Sequence, residues 1–163
     1  MGRRPQSRAH GGARGQLSLL YADTSALVRA YFADEPEHAE LLARLLEGTE
    51  AVVTSELTRV EFASAVSAAA RMGRTRRPRL FLDRFDADCS NDGPIALLRL
   101  DPDDVFPLAY RLLMEHDLRT LDALHLAVAS TSATALAGAD SLVLVTRDDR
   151  QAAAAAAMGL ETA

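Results

Sequence analysis

Along the chain, short apolar runs alternate with longer stretches whose apolar residues recur every three or four positions. Ser18 to Asp23 is a compact run, Ser-Leu-Leu-Tyr-Ala-Asp, that reads as a buried strand closing on an acid. Thr24 and Ser25 can cap a helix running to about Ala33. A second helix is expected from Pro36, with a stripe of Leu41, Leu42, Leu45 and Leu46, ending at Gly48. Ala51 to Thr54 reads as a second strand. Ser55 then caps a long helix to about Met72, which Gly73 stops. After a basic turn at Arg74–Arg79, residues from Leu80 to about Ala87 favour a helix. Asn91-Asp92-Gly93-Pro94 is a turn, and Ile95 to Leu100 a third strand. Asp101-Pro102-Asp103-Asp104 opens a helix carrying Val105, Leu108, Ala109 and Leu112. Thr120 is the expected cap of another helix, from Leu121 to about Ser132. Leu142 to Val145 is a fourth strand, and the Ala-rich stretch after Asp148 a final helix ending near Gly159.

Strands that alternate with helices in this way predict an α/β domain around a central, mostly parallel sheet of about four or five strands. The pattern occupies residues 17–163 as one domain, as a chain of 163 residues allows. Residues 1–16, rich in Arg and Gly and lacking an apolar core, read as a disordered N-terminal extension rather than a secretory signal.

Composition narrows the picture. Hydrophobic residues make up 48% and aromatics 5%, with no Trp, so the core must be built mainly from Leu, Val and Ala. Cys89 is the single cysteine, which excludes an internal disulfide or a cysteine-rich zinc site and fits a reducing cytoplasm. No apolar run is long enough to span a bilayer; Ala133–Val145 comes nearest and Asp140 interrupts it. The net charge of −5 argues at first against a nucleic-acid partner, but segregated charge can override a net value. All 18 basic residues are Arg, and five of them, Arg71, Arg74, Arg76, Arg77 and Arg79, fall close together.

Candidate chemistry lies in the acids. Ligands of open parallel sheets bind beyond the carboxyl ends of the strands. Asp23 closes the first strand and Asp148 follows the fourth. If these strands are neighbours, about 5 Å apart, both carboxylates project into one crevice. Glu61 shares a helical stripe with Leu57, Ala65 and Ala68, where a buried carboxylate needs either a partner such as Arg59 or a metal. Asp122 sits in a first helical turn, where an acid also simply complements the helix dipole. His125, three residues on, could join it as a metal ligand, but a hydrogen bond to a neighbour is the plainer reading. Asp140, Asp149 and Glu56 are further candidates. Thr24, Ser25 and Thr146 could hydrogen-bond the site or serve only as caps and turn residues.

Other chemistries fit less well. The chain has no Gly-x-x-x-x-Gly-Lys loop, no Gly-x-Ser-x-Gly elbow and no His-Glu-x-x-His helix. A phosphotransferase with Asp23 as nucleophile usually wants a second Asp two residues on, where Ser25 stands. An oxygen-only cluster suits Mg²⁺ or Mn²⁺.

The acids also fall in recognisable surroundings. Ala22-Asp23-Thr24-Ser25-Ala26-Leu27 resembles the opening motif of PIN-domain nucleases. Thr58-Arg59-Val60-Glu61-Phe62-Ala63 resembles their second acidic motif, and Leu121-Asp122-Ala123-Leu124-His125-Leu126-Ala127 their third. Val145-Thr146-Arg147-Asp148, with the Ala-rich helix and Gly159-Leu160, resembles the fourth. The likeness runs in order from about Leu20 to Leu160, and the compact form is most similar to VapC toxins of type II toxin–antitoxin pairs. That resemblance implies a Mg²⁺- or Mn²⁺-dependent endoribonuclease with Asp23, Glu61, Asp122 and Asp148 as catalytic and metal-binding residues, leaving 5′-phosphate products. It implies an RNA substrate, a VapB-like antitoxin, a homodimer or toxin–antitoxin hetero-oligomer, a cytoplasmic location and no membrane association. The alternative is a catalytically silent PIN-like module that binds RNA or protein.

Overall fold

The computed structural model describes residues 18–163; the extension read over residues 1–16 lies outside them. Five strands, β1 (Ser18–Ala22), β2 (Ala51–Ser55), β3 (Ile95–Leu98), β4 (Ser141–Val145) and β5 (Glu161–Thr162), form one sheet in the order β3-β2-β1-β4-β5. Every neighbouring pair is parallel. The chain winds outward from β1 through β2 to β3, then crosses back to lay β4 on the other side of β1, in a register that pairs Ala22 with Val145. The strand order therefore reverses between β1 and β4, where an open parallel sheet leaves a crevice at its carboxyl edge.

Helices cover both faces. Leu20, Ala22, Val52, Ile95, Val143 and Val145 point into one core, closed by α1 (Thr24–Tyr31), α2 (His38–Leu45), α3 (Leu57–Arg71) and α4 (Pro78–Asp88). The scarce aromatics gather here: Phe62 stacks on Phe85, and Tyr31 meets both edge-on. Leu19, Tyr21, Val53 and Leu144 alternate to the opposite face, as strand geometry requires. There they pack against α5 (Pro102–Glu115), α6 (Thr120–Val128) and α8 (Asp149–Ala157). The expected α/β architecture is the one observed.

Several details differ from the sequence reading. The cap of α1 is Asp23 itself, whose carboxylate accepts from the Ala26 N–H; Thr24 and Ser25 lie inside the helix. Helix α2 starts at His38 rather than Pro36, after Glu37 turns the chain through a left-handed φ of 61°. Thr120 does not cap α6. Arg119 occupies that position, and the carboxylate of Asp122 reaches back to its N–H. Helix α6 continues through a π-helical turn (Ala129–Ala133) into α7 (Thr134–Ala137), so the helical segment outruns Ser132. The buried stripe of α3 is Thr58, Phe62, Val66 and Ala69, one step round from the expected one, which leaves Glu61 half-buried. Finally, β5 pairs with β4 where no strand was expected. Among the described residues no helix is long and apolar enough to cross a membrane.

Candidate metal site at the carboxyl edge of the sheet

Asp23 leaves β1 in extended conformation, and its N–H donates to the Val145 carbonyl at 3.1 Å, tying it to the end of β4. Its side chain is 4% exposed. One oxygen accepts from Ser25 Oγ at 2.7 Å and Ala26 N at 3.1 Å; the other accepts from Thr146 Oγ1 at 3.0 Å. Burial pushes the Asp23 carboxyl up, and the bonds from Ser25, Ala26 and Thr146, with the nearby His125, only partly offset it.

The Thr146 hydroxyl is a hinge between two acids. While it donates to Asp23 it accepts from the Asp148 N–H at 3.1 Å. Asp148 caps α8, with one oxygen accepting from Arg150 N and Gln151 N, both at 3.0 Å. Asp122 lies in the first turn of α6, where one oxygen accepts from Arg119 N at 3.3 Å. Its carboxyl is raised by burial and then by the negative charge of Asp148, with Arg119 and Arg150 opposing. Gln151 joins the two helices: its N–H serves Asp148, and its side-chain amide donates to the Asp122 carbonyl at 3.3 Å. Its other side-chain atom, Oε1, is buried without a partner.

Glu61 approaches from α3. Its Oε2 accepts from Thr24 Oγ1 at 2.7 Å and from His125 Nε2 at 2.5 Å. Burial alone would raise this carboxyl; the bonds and charge contributed by His125, with the Thr24 hydroxyl, outweigh it and hold it below the ordinary value. Arg59, the partner weighed for Glu61, pairs with Asp86 instead. His125 takes the plainer of its two readings and hydrogen-bonds Tyr21 and Glu61.

The other candidates stand apart. Asp140 precedes β4 and therefore lies at the opposite end of the sheet. A cavity of about 610 Å³, lined in part by Leu19, Val53 and Asp140, opens there and contains none of the four acids. Glu56 is exposed and accepts from Leu100 N. Asp149 is exposed in the first turn of α8. Arg74 of the basic turn is committed to Asp34 and Glu35, and lies over the Phe32 ring. Two participants escaped the sequence reading: Gln151, hidden in an Ala-rich helix, and Tyr21, which read as plain core.

Among the described residues no three His, Cys, Asp or Glu side chains converge closely enough to cage a metal unaided. The donors nevertheless fit a hard divalent ion. They are all oxygens, and the repulsion felt by Asp122 is the kind a cation relieves. Mg²⁺ is commonly held by one or two carboxylates and completes its octahedron with water.

This combination of a switch-point acid, an acid capping α8, an acid in the first turn of α6 and a five-stranded parallel sheet defines a recognisable class. The PIN domain family profile matches residues 20–157, and the chain belongs to the PIN domain family. Among solved structures it is similar to Mycobacterium tuberculosis VapC20, described as a sarcin–ricin loop cleaving toxin: 19% identity, 83% of this chain and 94% of that one covered, TM-score 0.60. It is also similar to PAE2754 from Pyrobaculum aerophilum, with 23% identity, coverage of 90% and 84%, and TM-score 0.58. VapBC2 from Rickettsia felis, bound to a DNA fragment from its promoter, matches with 14% identity, coverage of 89% and 97%, and TM-score 0.60. No curated protein sequence matches the chain.

Proposed function

We propose that the chain is a metal-dependent endoribonuclease, the VapC-like toxin of a type II toxin–antitoxin pair acting in the cytoplasm. The observation that supports this reading is the linkage at the switch point: the Thr146 hydroxyl bonds both Asp23 and the Asp148 N–H, and the Asp148 charge in turn raises the Asp122 carboxyl.

Asp23, Asp122 and Asp148 would hold a Mg²⁺ or Mn²⁺ ion, and Glu61 would complete the set. When bound, such an ion supplies Lewis-acid stabilisation of the charge that builds on a scissile phosphate. The chain's own groups do the orienting. Ser25, Ala26 and Thr146 fix both oxygens of Asp23. The N–H groups of Arg150 and Gln151 aim Asp148. Arg119 and Arg150, near enough to lower Asp122, give the acidic site a cationic rim for backbone phosphates. Exposed Phe106, Tyr110 and Met114 line one side of α5 and support an assembled protein, as a homodimer or with a VapB-like antitoxin.

The test is incubation of antitoxin-free protein with total RNA and Mg²⁺ or Mn²⁺, beside EDTA and Asp23→Asn controls. Discrete cleavage, with 5′-phosphate ends, that requires both the metal and Asp23 is the expected outcome. Absence of cleavage with every metal and RNA pool would favour a silent RNA- or protein-binding module.

A further inference from the structure

Behind the carboxylates lies a chain of buried polar groups that a simple core would not contain. Tyr21 is 0% exposed and His125 2%. The Tyr21 hydroxyl lies 2.9 Å from His125 Nδ1, and His125 Nε2 lies 2.5 Å from Glu61 Oε2. Thr24 Oγ1 donates to that same Oε2 at 2.7 Å. An ionised carboxylate only accepts, so Nε2 is the donor to Glu61, while Nδ1 is engaged by the Tyr21 hydroxyl.

We propose that Tyr21 and His125 are positioning residues that pin Glu61 by one oxygen, leaving Oε1 as the only oxygen it can turn toward the candidate metal site. Three observations converge on this. Both donors to Glu61 fall on Oε2, and among the described residues no hydrogen bond engages Oε1. Both ring nitrogens of His125 are engaged inside the protein, so His125 has no free lone pair to offer a metal. The network joins β1, α1, α3 and α6, so the direction of Glu61 is fixed by the fold rather than by its own flexible stem. The inference deepens the metal-dependent reading and rests on it for the use made of Oε1; the pinning of Oε2 stands on geometry alone.

The full chain would be compared with Tyr21→Phe, His125→Gln, His125→Leu, Glu61→Gln and the Glu61→Gln/His125→Leu double variant. Two readouts are needed: imidazole ¹⁵N spectra without metal, and Mn²⁺ affinity by calorimetry. In the spectra, His125 is expected to carry a proton on Nε2, with shifts that change in both Tyr21→Phe and Glu61→Gln. In calorimetry, His125→Leu is expected to weaken Mn²⁺ about 10–100-fold, the usual cost of losing a group that orients a metal ligand. His125→Gln, whose amide can still donate to Oε2, should recover most of that. The double variant should bind no more weakly than Glu61→Gln alone, because His125 acts through Glu61. His125 signals indifferent to Tyr21→Phe and Glu61→Gln would overturn the proposal, as would additive losses in the double variant. Tyr21→Phe, which removes a single oxygen, keeps the test open should His125→Leu not fold. A wild-type protein that binds no Mn²⁺ yet retains the coupled His125 signals would reject the metal-dependent reading and leave the pinning of Glu61 in place.

Discussion

Asp23 shows how one residue serves fold and site at cost to stability. It caps α1 and faces three donors, yet burial still leaves its carboxyl above the ordinary range. The sign follows. An acid raised on folding favours the folded state below its folded pKa and loses that benefit as pH rises from the unfolded value through the folded one. Asp23→Asn keeps an acceptor for Ser25 and Ala26 and removes the buried charge. In EDTA at pH 7 it should therefore melt a few degrees higher than wild type, with the gap closing as pH falls. Scanning calorimetry across pH checks this, and an unchanged or lower melting temperature would contradict it. Cys89 offers a second residue-scale check. Burial pushes its thiol up to about 11. Its reaction with a disulfide reagent should be slow at pH 7 and speed up about tenfold per pH unit toward pH 10; a fast, pH-insensitive reaction would refute the burial.

At the scale of elements, helix termini do the placing. Asp148 caps α8, and Asp122 reaches back over the first turn of α6, so each acid has a backbone duty as well as a charge. The two duties can be separated. Asn caps a helix about as well as Asp, whereas Ala forfeits about 1 kcal/mol. In urea unfolding with EDTA, Asp148→Ala should lose about that much and Asp148→Asn little, while both weaken Mn²⁺ binding. Equal stability losses would mean the cap is unimportant. Sequence alone reached the alternation of strands and helices, because hydrophobic period and helix-start chemistry are local; the four acids stand out together only through their resemblance to family motifs. It missed what packing decides. Adjacent polar residues at Asp23-Thr24-Ser25 compete for one cap. The stripe of α3 is rotated by a single position. Nothing in Ala129–Ala133 marks a π turn locally, and β5 is two exposed residues with no apolar signature. The bond between Tyr21 and His125 spans 104 positions, and no local pattern announces it.

For the molecule as a whole, the site is a seam. Asp23 joins β1 to α1, Glu61 lies on α3, Asp122 on α6 and Asp148 at the start of α8, so any ion they share would clamp these elements at once. A ligand bound only by the folded state at 100 times its Kd stabilises by about 2.7 kcal/mol. Mn²⁺ should accordingly raise the melting temperature of wild type, EDTA should reverse the gain, and Asp23→Asn should show none. A Mn²⁺-independent melting temperature would count against a shared ion.

The placement of β4 beside β1 has a consequence for how the protein is born. β2 follows β1 closely in the chain, but the other edge of β1 has no partner strand until residues 141–145 are made, and Asp148 follows them. A chain still being translated thus carries Asp23 with half its setting missing. If the acids cut RNA, the ribosome that makes this protein is spared a working blade until β4 and Asp148 have been made.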